Sequence, residues 1–336
     1  MSKTHQLSDV QKCLLALYHD FKQFCEDNNI HYCAIGGTAL GTVRHGGFIP
    51  WDDDIDVGIP IADYERFLKL VPKLPKHLGY AEVEWMGGKI YDNRTTIIET
   101  QFLSRPERYF GAFIDIFPVI GTPNDDSERE AFTQSIKDFF LKAQFFTCYP
   151  QLCDFDSKDL RKEKNAIMHK YDYETSDYVA SVCYCLYKGN GFRNPVKDKK
   201  FEDTTMPLSP DYDWDLTNFY GDYMKLPPEE QRRTHAGNMY VDLNTPCAVY
   251  QKEYEQLPDW VKVSIQTKHG VEGSHYKYLR ELEKAKVWFL SEIDRYQAEN
   301  QNLYSQIDEL NAKIKELRSR KTPLGTKIYH KLKKRR

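Results

Sequence analysis

The stretch Ile35–Pro60 reads IGGTALGTVRHGGFIPWDDDIDVGIP. Two glycine pairs, Gly36-Gly37 and Gly46-Gly47, bracket a run from Thr38 to Arg44 that has the length of two helical turns, and four aspartates then fall between Asp52 and Asp56. The preceding segment, IHYCAIGG, reads as a short buried strand entering a glycine turn, so the helix that follows points its first backbone N–H groups at whatever lies above Gly36-Gly37. That geometry favours an anion. Beyond Pro50, strand alternation puts Ile55, Val57 and Ile59 on one face and Asp52, Asp54, Asp56 and Gly58 on the other. Carboxylates two residues apart on one face repel each other unless a proton or a cation sits between them. Hard oxygen donors of this kind suit Mg²⁺ or Mn²⁺, and glycine-supported amides nearby suit the phosphate that such a metal carries.

A third acid is expected from a neighbouring strand. In GAFIDIFPVIG, Asp115 interrupts Phe113, Ile114, Ile116 and Phe117, and an unpaired charge in so apolar a segment would be costly. Three acids from two strands beside a phosphate-cradling turn describe a nucleotidyltransferase metal site. The segment GGKIYDNRTTIIET offers Lys89 and Arg94 between two apolar strand pieces, as cations for a cleaving pyrophosphate or as a solvated strand edge. Arg44 and His45 close the glycine-turn helix, where a phosphate contact and a helix C-cap are equally open to Arg44. Asp52 shares the metal face and could serve to orient Arg44.

Elsewhere, Val10, Cys13, Leu14, Leu17, Phe21 and Phe24 recur at helical spacing from about Ser8 to Asn28, with Ser8 and Gln11 as a capping box. Residues 125–173 are charged and helical, broken at Cys148-Tyr149-Pro150, and are expected to cover the sheet. Eight cysteines in 336 residues do not form a disulfide framework, and Cys148, Cys153, Cys183 and Cys185 lack the spacing of a structural zinc site. MSKTHQLSDV lacks the apolar run of a secretory signal, and no window approaches the roughly 20 apolar residues of a membrane span, so a cytoplasmic location is expected.

From Phe289 to Leu317, apolar residues and Asn300 follow alternating steps of four and three, a heptad seam that favours a parallel two-stranded coil and hence a homodimer. A single helix folded back on the body is the alternative. Nine Lys or Arg and no acid lie between Arg318 and Arg336, so taking those nine charges from the net −3 leaves −12 on residues 1–317. The tail KIYHKLKKRR sets Ile328, Tyr329 and Leu332 among cations, a composition suited to an anionic membrane surface at the inner face of the cytoplasmic membrane. A solubilising or RNA-attracting tail is the bland alternative, and no nucleic-acid partner is expected.

The long run GGTALGTVRHGGFIPWDDDIDVGI resembles the signature of the LicD family of phosphotransferases, related to fukutin and fukutin-related protein. FIDIFP resembles its second acidic motif and YGDYMKLPPEEQRRTH, Tyr220 to His235, its C-terminal motif, so the likeness spans roughly residues 8–240. Ala39 and Thr42 replace the family's usual Leu and Ala, small changes on a helix face. The resemblance implies an α+β fold with a polymerase-β-like nucleotidyltransferase core. It implies transfer of a phosphorylated alcohol, typically phosphocholine from CDP-choline, to a sugar hydroxyl of a surface glycan of lipopolysaccharide, teichoic acid or capsule type, with a lipid-linked acceptor expected. It also implies Asp54, Asp56 and Asp115 as metal-binding and catalytic residues and Gly36, Gly37 and Thr38 as the phosphate cradle. Arg232 and His235, on an expected proline-started helix, have either a supporting acceptor-side role or a capping one. The expected division is a catalytic domain over 1–245 with its helical covering region, a connecting segment over 246–281, a coiled-coil helix over 282–319 and a basic tail over 320–336. A D-x-D glycosyltransferase would use a similar metal site without the glycine-turn helix, and a non-catalytic coiled-coil adaptor would not need intact acids.

Overall fold

We describe a computed structural model that places residues 7–256, apart from 84–86, 100–101, 103–104, 149–152, 182–184, 233 and 235–238, together with Glu309, Leu310, Ala312 and Lys313. The chain clusters into two compact units, Met1–Ser274 and His275–Arg336. In the second, the four described residues are helical and Leu310, a seam position of the heptad, is exposed. The remainder of the expected coil and the basic tail lie outside the described residues.

The first unit is a mixture of helices and strands. Helix α1 (Asp9–Asp27) starts at the expected capping box, with the Ser8 hydroxyl accepting from the Gln11 amide at 3.1 Å and Gln11 Oε1 accepting from the Ser8 amide at 3.0 Å. Its Leu14, Leu17, Tyr18 and Phe21 are almost wholly buried, each large apolar side chain contributing about 1.5–3 kcal/mol of burial. There follow β1 (Cys33–Ala34), α2 (Gly36–Arg44), β2 (Asp56–Pro60), α3 (Ile61–Leu70), β3 (Leu78–Glu82), β4 (Gly88–Asp92), β5 (Thr96–Glu99) and β6 (Phe113–Gly121). Helices α4 (Asp126–Cys148) and α5 (Ser157–Met168) come next, then β7 (Tyr178–Ser181), β8 (Leu186–Lys188), α6 (Gly189–Arg193), β9 (Val196–Phe201) and β10 (Thr204–Leu208). The series ends with α7 (Tyr212–Tyr220), β11 (Met239–Asp242) and α8 (Cys247–Gln256).

Among the described residues the main sheet has seven strands, in the order β1-β2-β6-β4-β3, with β7 also on β6 and β8 on β7. Strand β6 is long enough to pair twice on one side, its first half with β4 and its second half with β7, both antiparallel. On its other side it pairs in parallel with β2, in a register that sets Asp56 beside Asp115 and Val57 beside Ile116. Ile55, Val57 and Ile59, the apolar face read before and along β2, are all fully buried, as are Ile114 and Ile116 of β6. Phe132, Ile136 and Met168 from α4 and α5 join the same core, and these helices cover the sheet as their pattern implies. Two further pairs flank it, β9–β10 and β5–β11. Helix α8, which falls in the segment 246–281, packs in this unit, with Tyr254 edge-on to Tyr109 and Gln251 Nε2 donating to the Tyr109 carbonyl at 3.0 Å.

Two elements differ from their sequence reading. Strand β2 begins at Asp56, so Asp52 and Asp54 stand in the loop before it rather than on its face. The cause is a turn, the Asp52 amide donating to the Ile49 carbonyl at 2.9 Å, clamped by Gln11 Nε2 on the carbonyls of Asp52 at 2.7 Å and Ile49 at 3.3 Å. The expected proline-started helix is a single 3-10 turn, Glu229–Gln231, with Arg232 just beyond it and His235 outside the described residues.

Candidate active site

The glycine turn, the acid loop and the end of α7 enclose a cleft of about 700 Å³, lined by Gly36, Gly37, Arg44, Trp51, Asp52, Asp54, Asp56 and Tyr220 and closed on one side by Asp222 to Pro228. Helix α2 starts two residues earlier than the sequence suggests, so Gly36 and Gly37 form its first turn. Gly36 has φ +55°, a left-handed backbone that a side chain rarely adopts, and an added methyl there would stand 3.3 Å from Asp56 Oδ2. A methyl on Gly37 would stand 2.8 Å from Asp52 Oδ2. Bare backbone is therefore what lets the helix start approach the two carboxylates.

The Thr38 side chain has a structural task in this arrangement. It is buried, and its hydroxyl accepts from the Asp56 amide at 2.8 Å, which stitches α2 to the first residue of β2. The Ile35 amide adds a second stitch to the Asp56 carbonyl at 3.2 Å. Asp56 is thus held on both sides of its backbone by the glycine-turn segment.

The acids repel one another. Burial, then the charges of Asp54, Asp115 and Asp52, push the Asp56 carboxyl well above the usual carboxylate range, with Lys89 opposing them. Asp115, also pushed up by burial, is restrained by Lys89. Lys89 is not on a solvated edge: β4 lies between β3 and β6, and the ammonium sits 2.9 Å from Asp115 Oδ1, 3.5 Å from Glu99 Oε2 and 3.4 Å from the centre of the Phe113 ring. Burial works against its charge, yet the two carboxylates more than offset that and hold its pKa above the usual lysine value. The approach to Asp115 Oδ1 is close enough for an ion pair but off the hydrogen-bonding direction, so this buried oxygen has no hydrogen bond.

Of the cations, Arg44 faces the cleft, with Nη1 donating to the Tyr223 carbonyl at 2.7 Å, and His45 is the C-cap of α2 with its ring edge-on to Trp51. Arg232 lies over the Trp51 ring at 5.2 Å and donates through Nε to the Pro227 carbonyl. Arg94 is not brought to the site. It folds back on Asp92 in the turn after β4, with Nη2 2.6 Å from Asp92 Oδ2, because an acid two residues away outcompetes a distant cleft. The sequence reading missed the site roles of four residues, one of which, Gln11, it took only as a helix cap. Glu99 and Gln11 carry no local signal of their roles, Trp51 reads as an ordinary aromatic before the acids, and Lys225 gains its place from the Asp222–Pro228 wall.

The donor set fits a hard divalent cation in part. Asp54 and Asp56 open on the cleft, and Mg²⁺ is commonly held by one or two carboxylates with substrate phosphates completing the shell. Asp115 stands behind Asp56 and is already paired with Lys89. Among the described residues, no group of three or more His, Cys, Asp or Glu side chains is drawn together closely enough to enclose a metal ion.

Residues 29–174, from β1 through α5, match the family described as LicD/FKTN/FKRP, nucleotidyltransferase domain. Over 259 residues, 68% of this chain and 95% of the relative, the sequence is 30% identical to the lipopolysaccharide cholinephosphotransferase LicD of Haemophilus influenzae. The chain belongs to the LicD family. A shorter stretch of 81 residues is 42% identical to an uncharacterized protein of Rickettsia typhi, covering 23% of this chain and 25% of that one. The match to the LicD family takes in the glycine turn, the acid loop and Asp115, while Tyr220 and the Asp222–Pro228 wall lie beyond residue 174. No described helix is long and apolar enough to cross a membrane.

Proposed function

We propose that this protein is a metal-dependent phosphotransferase with a polymerase-β-like nucleotidyltransferase core, moving a phosphocholine-like group from a CDP-activated alcohol to a hydroxyl of a cell-surface glycan. The observation that carries the reading is a cleft that brings Asp52, Asp54 and Asp56 against an amide-rich glycine turn, with Asp115 set beside Asp56 by the parallel register of their strands. The LicD relative in Haemophilus influenzae, a lipopolysaccharide cholinephosphotransferase by name, supports the choice of group.

In this reaction the acceptor oxygen attacks the phosphorus of the transferred group, the P–O bond to CMP breaks with its electron pair leaving on CMP, and the acceptor proton passes to a carboxylate or to solvent. A divalent cation held by Asp54 and Asp56 would neutralise phosphate charge and polarise the phosphoryl oxygens. The residues themselves supply the rest. The first turn of α2 offers backbone N–H groups, Arg44 and Lys225 offer cations from the cleft wall, and Trp51 offers an aromatic surface for the alcohol or the base.

The test is CMP release from CDP-choline with a short phosphate-free oligosaccharide acceptor, with Mg²⁺ or Mn²⁺ added or chelated, alongside other CDP-alcohols and UDP-sugars. Metal-dependent CMP release is expected, lowered at least about 10²-fold by Asp54→Asn or Asp56→Asn, the scale of losing one electrostatic stabiliser. Turnover of a UDP-sugar in place of every CDP-alcohol would overturn the reading in favour of a glycosyltransferase. Full activity in both variants would remove the metal site.

A further inference from the structure

Tyr220 is the last residue of α7 and forms part of the cleft wall. Its side chain is divided: the residue is 45% exposed, yet the hydroxyl end is turned inward, 3.9 Å from where a methyl on Gly36 would stand. The same methyl position is 3.3 Å from Asp56 Oδ2, so phenol, helix start and carboxylate converge on one point. The chain can leave α7 abruptly because Gly221 takes φ +64°. A phenol holds its proton at neutral pH, and this one lines the cleft together with Asp52, Asp54 and Asp56. It faces the cleft as a donor.

A phosphate brought over Asp54 and Asp56 meets carboxylates on the floor, so its approach depends on donors placed between the charges. The α2 amides are one set. A lysine in the place of Tyr220 would pair with Asp56 and cancel its charge, whereas a phenol donates a hydrogen bond and leaves the acid pair free to hold a cation. We propose that Tyr220 is a catalytic residue, its phenolic O–H donating to a non-bridging oxygen of the phosphoryl group held over Asp54 and Asp56. This inference rests on the phosphotransfer reading above and adds a residue to it.

The experiment compares wild type, Tyr220→Phe and Asp56→Asn in three measurements: CMP release from CDP-choline, calorimetric binding of inorganic pyrophosphate with Mn²⁺ present, and binding of Mn²⁺ alone. Tyr220→Phe keeps the ring and its packing on Phe219, so the thermal midpoint serves as a check on folding. Expected for Tyr220→Phe are a fall in kcat of about 10- to 100-fold with little change in KM, and pyrophosphate binding weakened several-fold, with Mn²⁺ affinity unchanged. Equal kcat and equal pyrophosphate binding in wild type and Tyr220→Phe would overturn the proposal. So would a fall in Mn²⁺ affinity that accounts for the whole effect, since that would make Tyr220 a brace for Asp56. If wild type releases no CMP, the phosphocholine reading fails by itself, and pyrophosphate binding still decides whether the phenol touches a phosphate.

Discussion

Lys89 shows how much a single buried charge can hold together. It reaches Asp115 across the β4–β6 pair and Glu99 on β5, and removing it would leave two carboxylates facing each other away from water. Lys89→Met is expected to lower stability by about 3–5 kcal/mol, the usual cost of breaking a buried pair from one side, as measured by urea unfolding. Asp215 makes the opposite case. Burial, against hydrogen bonds from the Lys188 amide and Ser209, raises its carboxyl to about 6. A carboxyl raised in the folded state carries a penalty that is absent below about pH 4, grows as pH rises through its folded value and is complete above it. Asp215→Asn should therefore match wild type near pH 4 and exceed it by about 1–3 kcal/mol at pH 8, read from paired unfolding curves. At this scale the acids were legible, because Asp56 and Asp115 interrupt apolar residues and Asp54 crowds beside Asp56, so that they announce a cost that something must offset. Arg94 misled for a local reason: its partner Asp92 is two residues away, and alternation along a strand does not reveal a turn that closes on itself.

Between elements, the joint that matters is the one from α2 to β2. The Thr38 hydroxyl satisfies the Asp56 amide, and Thr42 in turn donates to the Thr38 carbonyl at 2.7 Å, so the start of the strand is fastened to the helix interior. Thr38→Val keeps the shape and removes the acceptor, leaving a buried N–H without a partner. The expected cost is about 1–3 kcal/mol in unfolding, and the Asp56 amide should lose hydrogen-exchange protection ahead of the rest of β2. Local retention of that protection would show that another group fills the place. The pattern of α1, with its capping box and apolar stripe, was readable in full, and so was the strand character of β6. The acid loop was not. Its path depends on the Gln11 side chain reaching from α1 to the carbonyls of Ile49 and Asp52, a contact between residues 38 and 41 positions apart that no periodicity encodes.

The whole molecule adds a question of assembly. The heptad from Phe289 to Leu317 predicts a two-stranded coil, and Leu310, one of its seam residues, is 59% exposed in the single chain. Sedimentation of the full chain is expected to give a dimer, and Leu310→Glu is expected to shift it to monomer without loss of the folded catalytic unit; a concentration-independent monomer for wild type would refute the coil. The basic tail extends the same idea: deleting residues 320–336 should release the protein from vesicles containing phosphatidylserine at physiological salt. The partners expected of these elements lie outside the single chain, whereas the sheet was legible because its strands bury one another. The parallel pairing of β2 with β6 carries a last consequence, in time rather than in space. Asp56 and Asp115 are about sixty residues apart in the chain, and a parallel pair cannot close through a tight turn. A nascent chain that has extruded the glycine turn and the acid loop still lacks the strand that completes them, and the loop entropy of joining the two must be met before any contact rewards it. The acid cluster therefore comes into being with the native sheet, late and all at once, and a chain halted before residue 113 carries the signature motif without the floor on which it works.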